Sequence, residues 1–561
     1  MLALRLRNAR SSIATCSLFD CEMLALRLRN ARSSIAKCSL FDMVAACETL
    51  FFESPLNDND NKMTKNLLVE IATFTLAFTA VTVDAQPKQR SEKRGVAEEQ
   101  FGYAEEIKAL SPGICWTYNW GVAPSANVKS LLGSEDGKEM EYIPMAWNTG
   151  ADVEKLKQYY RDHPGCKYLL GYNEPNLADQ SDITPQQAAD TWPALEAIAD
   201  EFDLKLVSPA MSYTGSAIND GKIWQPFDWL DEFIKLYKQQ NSREPKMDAI
   251  AIHTYMNSTA PTLDFVNQWV DRYGKKIWVT EFAAGENNPD SLTQVREMIK
   301  KVQGLELNPN VERYAWFKGT SGSRWIDKSP YWRLLIKPNL RTHFPAAGTM
   351  TGQGVVYTYM STFDKTYYYR PSETVMAKDY INSYGIGLEV STDNQTGAIN
   401  THLAVEFGNS NAAEYLIDVP TDDVYQFTFR YSDRASASRQ QVLKLSVDDA
   451  EVGSATLPST AAYRDPADVY ATTTCQVSLP AGRHTLKFAG TVPINHARVT
   501  WFSFASTTAI SDINASTDDA LVSKRYFTLQ GEEVAVMHKG MYIETCTYAS
   551  GKKTSRKLTV K

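Results

Sequence analysis

Between residues 96 and 345 the chain repeats one pattern, a short run of β-branched and aromatic residues followed by a segment with helical spacing. The strand-like runs are 113–118 (GICWTY), 141–147 (EYIPMAW), 168–173 (YLLGYN), 204–209 (LKLVSP), 249–255 (AIAIHTY), 276–281 (KIWVTE) and 313–317 (RYAWF). Helical segments at 151–161, 227–238 and 291–302 lie between them, and another starts where Thr184, a cap residue, precedes Pro185. Strands that alternate with helices pair in parallel, because a parallel neighbour is reached only by a crossover. Seven such runs within ~220 residues predict an α/β fold, a (β/α)8 TIM barrel, with one more strand hidden second in order between Gly121 and Glu141. A doubly wound open sheet is the structural rival, and it would gather its site at one switch point. Here polar and aromatic residues follow nearly every strand: Tyr118-Asn119-Trp120, Trp147-Asn148, Asn173-Glu174, Ser208, His253-Thr254-Tyr255, Glu281 and Trp316. A ring of such residues is what the active face of a barrel requires.

Two of these strand ends carry a carboxylate. Residues 168–176 (YLLGYNEPN) place Glu174 at the mouth of the fourth strand, and Glu281 ends the seventh. Strands four and seven face each other across an eight-stranded mouth. Any one glutamate at a strand end is ordinarily solvated or salt-bridged, so the argument rests on the pair. Two opposed carboxyl groups cleave a glycosidic bond, with retention when ~5 to 5.5 Å apart and inversion at ~6.5 to 9.5 Å. One of the two must be protonated before the first step and so needs a raised pKa, and the other should be ionised and held by donors. Tyr255 is a candidate donor to Glu281. His253 contacts substrate or a carboxylate, or is structural. Trp316 is the first choice for a ring that stacks on a sugar, with Trp116 and Trp147 serving as further platforms or as core.

Charge and cysteine usage narrow the alternatives. The formal net charge is −8 and the body of the chain has no lysine cluster, so nucleic acid and anionic lipid are not expected partners. Cys115, Cys166, Cys475 and Cys546 have no CxxC or metal spacing and read as buried thiols. No metal, P-loop or dinucleotide motif occurs, so no metal or cofactor is expected.

Outside the barrel domain, placed at 96–365, the chain changes character. In 1–62, residues 1–20 recur as 23–42 with Thr15 against Lys37 the single change, which reads as a non-native upstream extension. Residues 63–85 have the outline of a secretory signal peptide, with an apolar stretch at 67–83 that is short for a membrane span and carries Glu70. Residues 86–95 (QPKQRSEKRG) read as a flexible leader. From 371 to 507, alternating runs at 413–419, 424–430, 442–447, 474–479, 484–488 and 499–504 predict an all-β jelly-roll sandwich. Residues 510–561 predict a small β-rich C-terminal domain with a basic end.

The runs GICWTYNW at 113–120, YIPMAW at 142–147, LGYNEPN at 170–176, HTY at 253–255 and WVTEF at 278–282 resemble glycoside hydrolase family 128, the Asl1-like glycosyl hydrolases. The resemblance implies β-1,3-glucan as substrate, Glu174 as acid/base, Glu281 as nucleophile and Asn173 as a ligand of the sugar 2-hydroxyl. It leads to the expectation of a secreted, monomeric, retaining endo-β-1,3-glucanase acting on laminarin. The alternatives are a β-glycanase of the same clan on β-1,4 or mixed linkages, and a surface glucan-binding protein without turnover. The sandwich resembles the family 6 and 35 carbohydrate-binding modules through 414–416 (EYL), 479–486 (LPAGRHTL) and 499–502 (VTWF). It departs from them at 376–379 (MAKD), where those modules carry a calcium-binding acidic pair, and at Thr500, where an asparagine commonly binds sugar. The tail resembles the C-terminal sorting domain of type IX secretion through 540–543 (GMYI) and 555–561 (SRKLTVK), which implies a secretion partner and a secreted or cell-surface location.

Overall fold

A computed structural model describes residues 87–508, apart from 100, 286–289, 321–330, 392, 394–402, 409–410, 436–438, 462–468 and 494–496, and the tail strands within 521–560. The readings at 1–62 and 63–85 lie outside the described residues. Among the described residues no helix is long and apolar enough to cross a membrane.

Eight parallel strands form one curled sheet: β1 (Arg94–Ala97), β2 (Trp116–Tyr118), β3 (Glu141–Tyr142), β4 (Tyr168–Leu170), β5 (Lys205–Val207), β6 (Ala249–Thr254), β7 (Lys276–Phe282) and β8 (Val311–Phe317). Their order is β3-β2-β1-β8-β7-β6-β5-β4. The edges meet just beyond β3 and β4, where Ala146 N–H donates to the Leu170 carbonyl at 2.9 Å and Leu170 N–H to that of Pro144 at 3.0 Å. The connecting helices are α1 (Ala104–Leu110), α2 (Val153–Asp162), α3 (Pro185–Glu201), α4 (Pro226–Asn241), α5 (Thr259–Tyr273), α6 (Ser291–Leu307) and α7 (Gly352–Tyr359). At the start of α3, Thr184 accepts from Gln187 N–H and the Gln187 side chain returns a bond to Thr184 N–H, a reciprocal cap ahead of Pro185.

The strand expected between Gly121 and Glu141 is not there; the described chain between β2 and β3 is turns with one isolated bridge. The missing strand is β1, inside the segment read as leader and barrel edge. Its charge disguises it. Arg94 is fully buried, donating to the carbonyls of Tyr357 at 3.0 Å and Ser361 at 2.7 Å and to the Tyr314 hydroxyl at 3.2 Å. The next residue must be glycine, since a Cβ on Gly95 would meet Trp116 Cε2 at 2.3 Å. Glu174 and Glu281 keep their ranks beyond the fourth and at the seventh strand, because the expected and observed positions both precede β4.

The floor of the barrel is aromatic. Trp116 and Trp278 meet at 5.3 Å, and the Arg313 guanidinium, paired with Glu141 at 2.6 Å, lies 4.7 Å from the Tyr168 ring and 5.0 Å from that of Trp278.

A β-sandwich follows. One antiparallel sheet runs β10-β13-β18-β15-β16 and the other β11-β12-β19-β14-β17, with β9 (Val375–Met376) on β19. These strands are β10 (Asn382–Tyr384), β11 (Gly387–Val390), β12 (Leu403–Phe407), β13 (Ala412–Val419), β14 (Asp423–Ser432), β15 (Gln441–Val447), β16 (Ala450–Leu457), β17 (Ala471–Leu479), β18 (Gly482–Gly490) and β19 (Ala497–Ser506). Phe488 of the first sheet packs against Phe429 at 5.1 Å and Phe502 at 4.8 Å of the second, so inward residues interdigitate as in any two-sheet core. Gln303 of α6 ties barrel to sandwich by donating to the Ser383 carbonyl at 2.9 Å. In the tail, β20 (Leu521–Thr528), β21 (Glu533–Val534), β22 (Gly540–Tyr548) and β23 (Lys553–Val560) make a separate antiparallel sheet.

Candidate active site

Beyond β4 the chain turns sharply. Glu174 has φ +40, in the left-handed region a side chain seldom occupies, and its N–H is held by the Ala210 carbonyl at 2.9 Å. Asn173 is anchored beside it, its N–H on the Trp147 carbonyl at 2.9 Å and its Nδ2 donating to Gln180 Oε1 at 3.2 Å. Asn173 Oδ1 is buried and has no hydrogen-bond partner among the described residues, so it remains an acceptor at the site.

β6 and β7 deliver the other half. A bulge after Ile252 sets His253 level with Glu281. The His253 ring is enclosed and lies between the two acids, Nδ1 at 2.7 Å from Glu174 Oε1 and Nε2 at 3.5 Å from Glu281 Oε1. Burial by itself favours the neutral imidazole, but the charges of Glu281 and Glu174 outweigh it, so the ring keeps its proton to higher pH than an ordinary histidine.

Glu281 is almost completely buried and gathers donors. Tyr255 donates its hydroxyl to Oε2, and the Trp120 indole N–H donates to Oε1 at 2.8 Å. The Tyr118 hydroxyl lies 3.3 Å from the same Oε1 and 3.1 Å from the Thr280 carbonyl. Burial pushes the phenols of Tyr118 and Tyr255 well up, and the Glu281 charge adds to it, so both stay donors. For Glu281 itself burial again dominates and raises the pKa. His253 pulls it down, Glu174 repels, and the bonds from Tyr255 and Trp120 lower it, with a net result above the ordinary carboxylate value. The carboxyl that burial visibly pushes up is thus the one expected to be most readily ionised.

The structure therefore gathers Glu174, Glu281, Asn173, His253 and Tyr255. Trp147 stays beside them, half-buried, through its carbonyl bond to Asn173. Two candidates are corrected. Trp316 is fully buried, its N–H donating to the Trp332 carbonyl at 2.7 Å and its ring 5.9 Å from Tyr357 of α7. Trp116 is fully buried in the barrel floor with its N–H on the Lys93 carbonyl at 3.0 Å. Neither has a face to offer a sugar. Phe317 and Trp332, both largely buried, are the rings that pack on Tyr255, at 5.7 and 5.4 Å. Trp120 and Tyr118, which the sequence places in the ring of residues after the strands but to which it assigns no role, are site residues as well.

Chemically, two carboxyl groups bridged by a protonatable imidazole, one of them held by three donors, can give and take a proton across a bond placed between them. One ligand atom from each of Glu174, His253 and Glu281 lies within 4.8 Å of the others, so the same three could also ligate a divalent cation.

Residues 95–347 match the family model described as glycosyl hydrolase catalytic core. No curated protein matches the chain. Among solved structures, an endo-β-1,3-glucanase of family 128, subgroup II, from Pseudomonas viridiflava is 36% identical, covering 48% of this chain and 98% of its own, with a TM-score of 0.41. A subgroup II endo-β-1,3-glucanase from Sorangium cellulosum is 28% identical over 47% of this chain and 97% of its own, TM-score 0.39. A subgroup III curdlan-specific exo-β-1,3-glucanase from Blastomyces gilchristii is 24% identical over 49% of this chain and 100% of its own, TM-score 0.36. With its paired acids at opposed strand ends and this family match, the protein is a glycoside hydrolase. On its sequence identity to nearly the whole Pseudomonas viridiflava enzyme, the chain belongs to glycoside hydrolase family 128. The match concerns the barrel alone and says nothing of the sandwich or the tail.

Proposed function

We propose that the protein is a retaining endo-β-1,3-glucanase that cleaves laminarin-type chains by double displacement. The observation that supports the reading is the approach of the two acids: one oxygen of Glu174 and one of Glu281 lie within 4.8 Å, with the His253 ring between them, an arrangement compatible with the ~5 to 5.5 Å carboxyl separation of retaining enzymes. Glu281 attacks the anomeric carbon, since its donors from Tyr255, Trp120 and Tyr118 aim the carboxylate and offset part of the cost of burying its charge. Glu174 delivers the proton to the leaving oxygen and later takes one from water. His253 holds Glu174 in place and, while protonated, favours ionisation of Glu281. Asn173 Oδ1 accepts from the sugar 2-hydroxyl, a bond that strengthens as charge develops on the ring. β-1,3 specificity is supported by the activity of the 36% identical enzyme.

Export by the 63–85 segment, surface sorting by the tail and glycan binding by the sandwich belong to the same reading of a secreted polysaccharide-degrading enzyme. Thr500, where those modules place a sugar-binding asparagine, is buried and points its hydroxyl at Asp393 at 3.2 Å, so glycan binding by the sandwich would need another surface. Product analysis on laminarin, lichenan and xylan tests the reading. Release of β-configured laminarioligosaccharides from laminarin alone is expected; cleavage of lichenan at β-1,4 bonds, or α-configured products, would overturn it.

A further inference from the structure

A groove of about 570 Å³ opens next to the catalytic cleft, and it is built by both the barrel and the sandwich. Its barrel wall includes Leu292 and Val295 of α6 with Tyr331 and Arg333 ahead of α7; its sandwich wall is the edge strand β11, with Glu389 and Val390. Helix α6 follows β7 and helix α7 follows β8, and their first turns line the groove, which puts it on the strand-end face that carries Glu281. The link to the cleft is short. Trp332, between Tyr331 and Arg333 in sequence, stacks on Tyr255 at 5.4 Å, and Tyr255 donates to Glu281.

The surfaces that face this volume are open to solvent on both domains: Leu292 is 55% exposed, Tyr331 44% and Val390 44%. Isolated exposed apolar residues need no explanation, but three converging on one groove beside an active site mark a ligand surface. Polar groups stand among them. The half-buried Arg333 guanidinium has no hydrogen bond or ion pair among the described residues, while Glu389 is held by Arg498 at 2.6 Å. Apolar faces with a spare donor and a fixed carboxylate suit a neutral polyhydroxylated chain, whose C–H faces lie on rings and whose hydroxyls bond to charged side chains.

We propose that this groove binds the glucan chain beyond the sugars held at Glu174 and Glu281, so that the edge strand of the sandwich forms part of the substrate path. The proposal rests on the β-1,3-glucanase reading. It makes long chains better substrates than short ones, through Tyr331 and Arg333 on one side and Glu389 and Val390 on the other.

The test uses the full chain and compares kcat/KM on polymeric laminarin with that on laminaritetraose. Tyr331→Ala on the barrel and Val390→Asp on the sandwich should each lower this ratio by about fivefold, the order expected for losing one ring stack or one apolar wall. Both positions are exposed, so folding should survive, and thermal melting checks it. An unchanged ratio in both folded variants overturns the proposal and leaves the glucanase reading intact. An unchanged ratio with a concentration-dependent dimer that Val390→Asp dissolves assigns the groove to a second copy, and also overturns it. Absence of turnover on both substrates by the unsubstituted enzyme overturns the glucanase reading and this inference with it.

Discussion

Replacing His253 by glutamine removes a cation from between two acids while keeping an amide that can still donate to Glu174. The attraction lost at Glu281 follows from the 3.5 Å between Nε2 and Oε1: about 1.2 kcal/mol at the dielectric of water and about 4.7 kcal/mol at an effective value of ~20. Losing that attraction raises the Glu281 pKa in the variant. The sign is fixed by which form is favoured. The imidazolium stabilises the carboxylate, so its loss makes Glu281 hold its proton to higher pH, and activity that needs the ionised nucleophile begins later on the acid side. Burial already places Glu281 above an ordinary glutamate, so the acid limb of the unsubstituted enzyme should lie above pH ~4.3. The cationic form of His253 is favoured on the acid side, because its own pKa is raised above the histidine value of 6.5 by the charges of Glu281 and Glu174. Profiles of kcat/KM against pH on laminarin report these free-enzyme values. The variant's acid limb should move upward. A limb that stays in place, or moves to lower pH, would refute the reasoning, since His253 would then not act on Glu281 as a charge.

Four further outcomes are expected. Glu174→Gln should lower kcat/KM on laminarin by roughly 10²- to 10⁴-fold while sparing kcat/KM on an aryl laminaribioside whose leaving group needs no proton; equal losses of kcat/KM on both would remove Glu174 from the acid role. Glu281→Gly with azide should yield an α-glycosyl azide, and the β-anomer would show that another residue attacks. Trp120→Phe removes one 2.8 Å donor to a buried carboxylate, so a loss of about 1.5 to 3 kcal/mol of transition-state stabilisation and an upward shift of the acid limb should appear in kcat/KM profiles. Arg94→Met leaves the carbonyls of Tyr357 and Ser361 unsatisfied in the core and should cost about 3 kcal/mol in denaturant unfolding; a cost below ~1 kcal/mol would mean that solvent or a rearranged neighbour replaces the guanidinium.

How much of this site was readable in the sequence depended on how far each signal had to travel along the chain. Glu174 and Glu281 were legible because each ends its own apolar run, and a strand that stops at a carboxylate presents it at the barrel mouth whatever the rest of the barrel does. The misplaced strand left their ranks unchanged because its expected and its observed position both precede β4. β1 itself was illegible because what makes Arg94 a strand residue is a pair of carbonyls contributed by α7 and the turn after it, 263 and 267 residues further on. Trp120 reaches Glu281 from 161 residues away, a contact no local pattern reports. The choice of Trp316 failed on a finer scale. Adjacent residues of a strand point to opposite faces, so a run ending in two aromatics presents only one of them to the cleft. In β8 Arg313 faces the barrel floor, which sends Ala315 and Phe317 inward and Tyr314 and Trp316 out against the helices, and the ring contacts agree: Trp316 meets Tyr357 of α7, whereas Phe317 meets Tyr255, Trp120 and Trp332. Counting by two from a residue whose direction is known, rather than picking the larger ring, would have named Phe317.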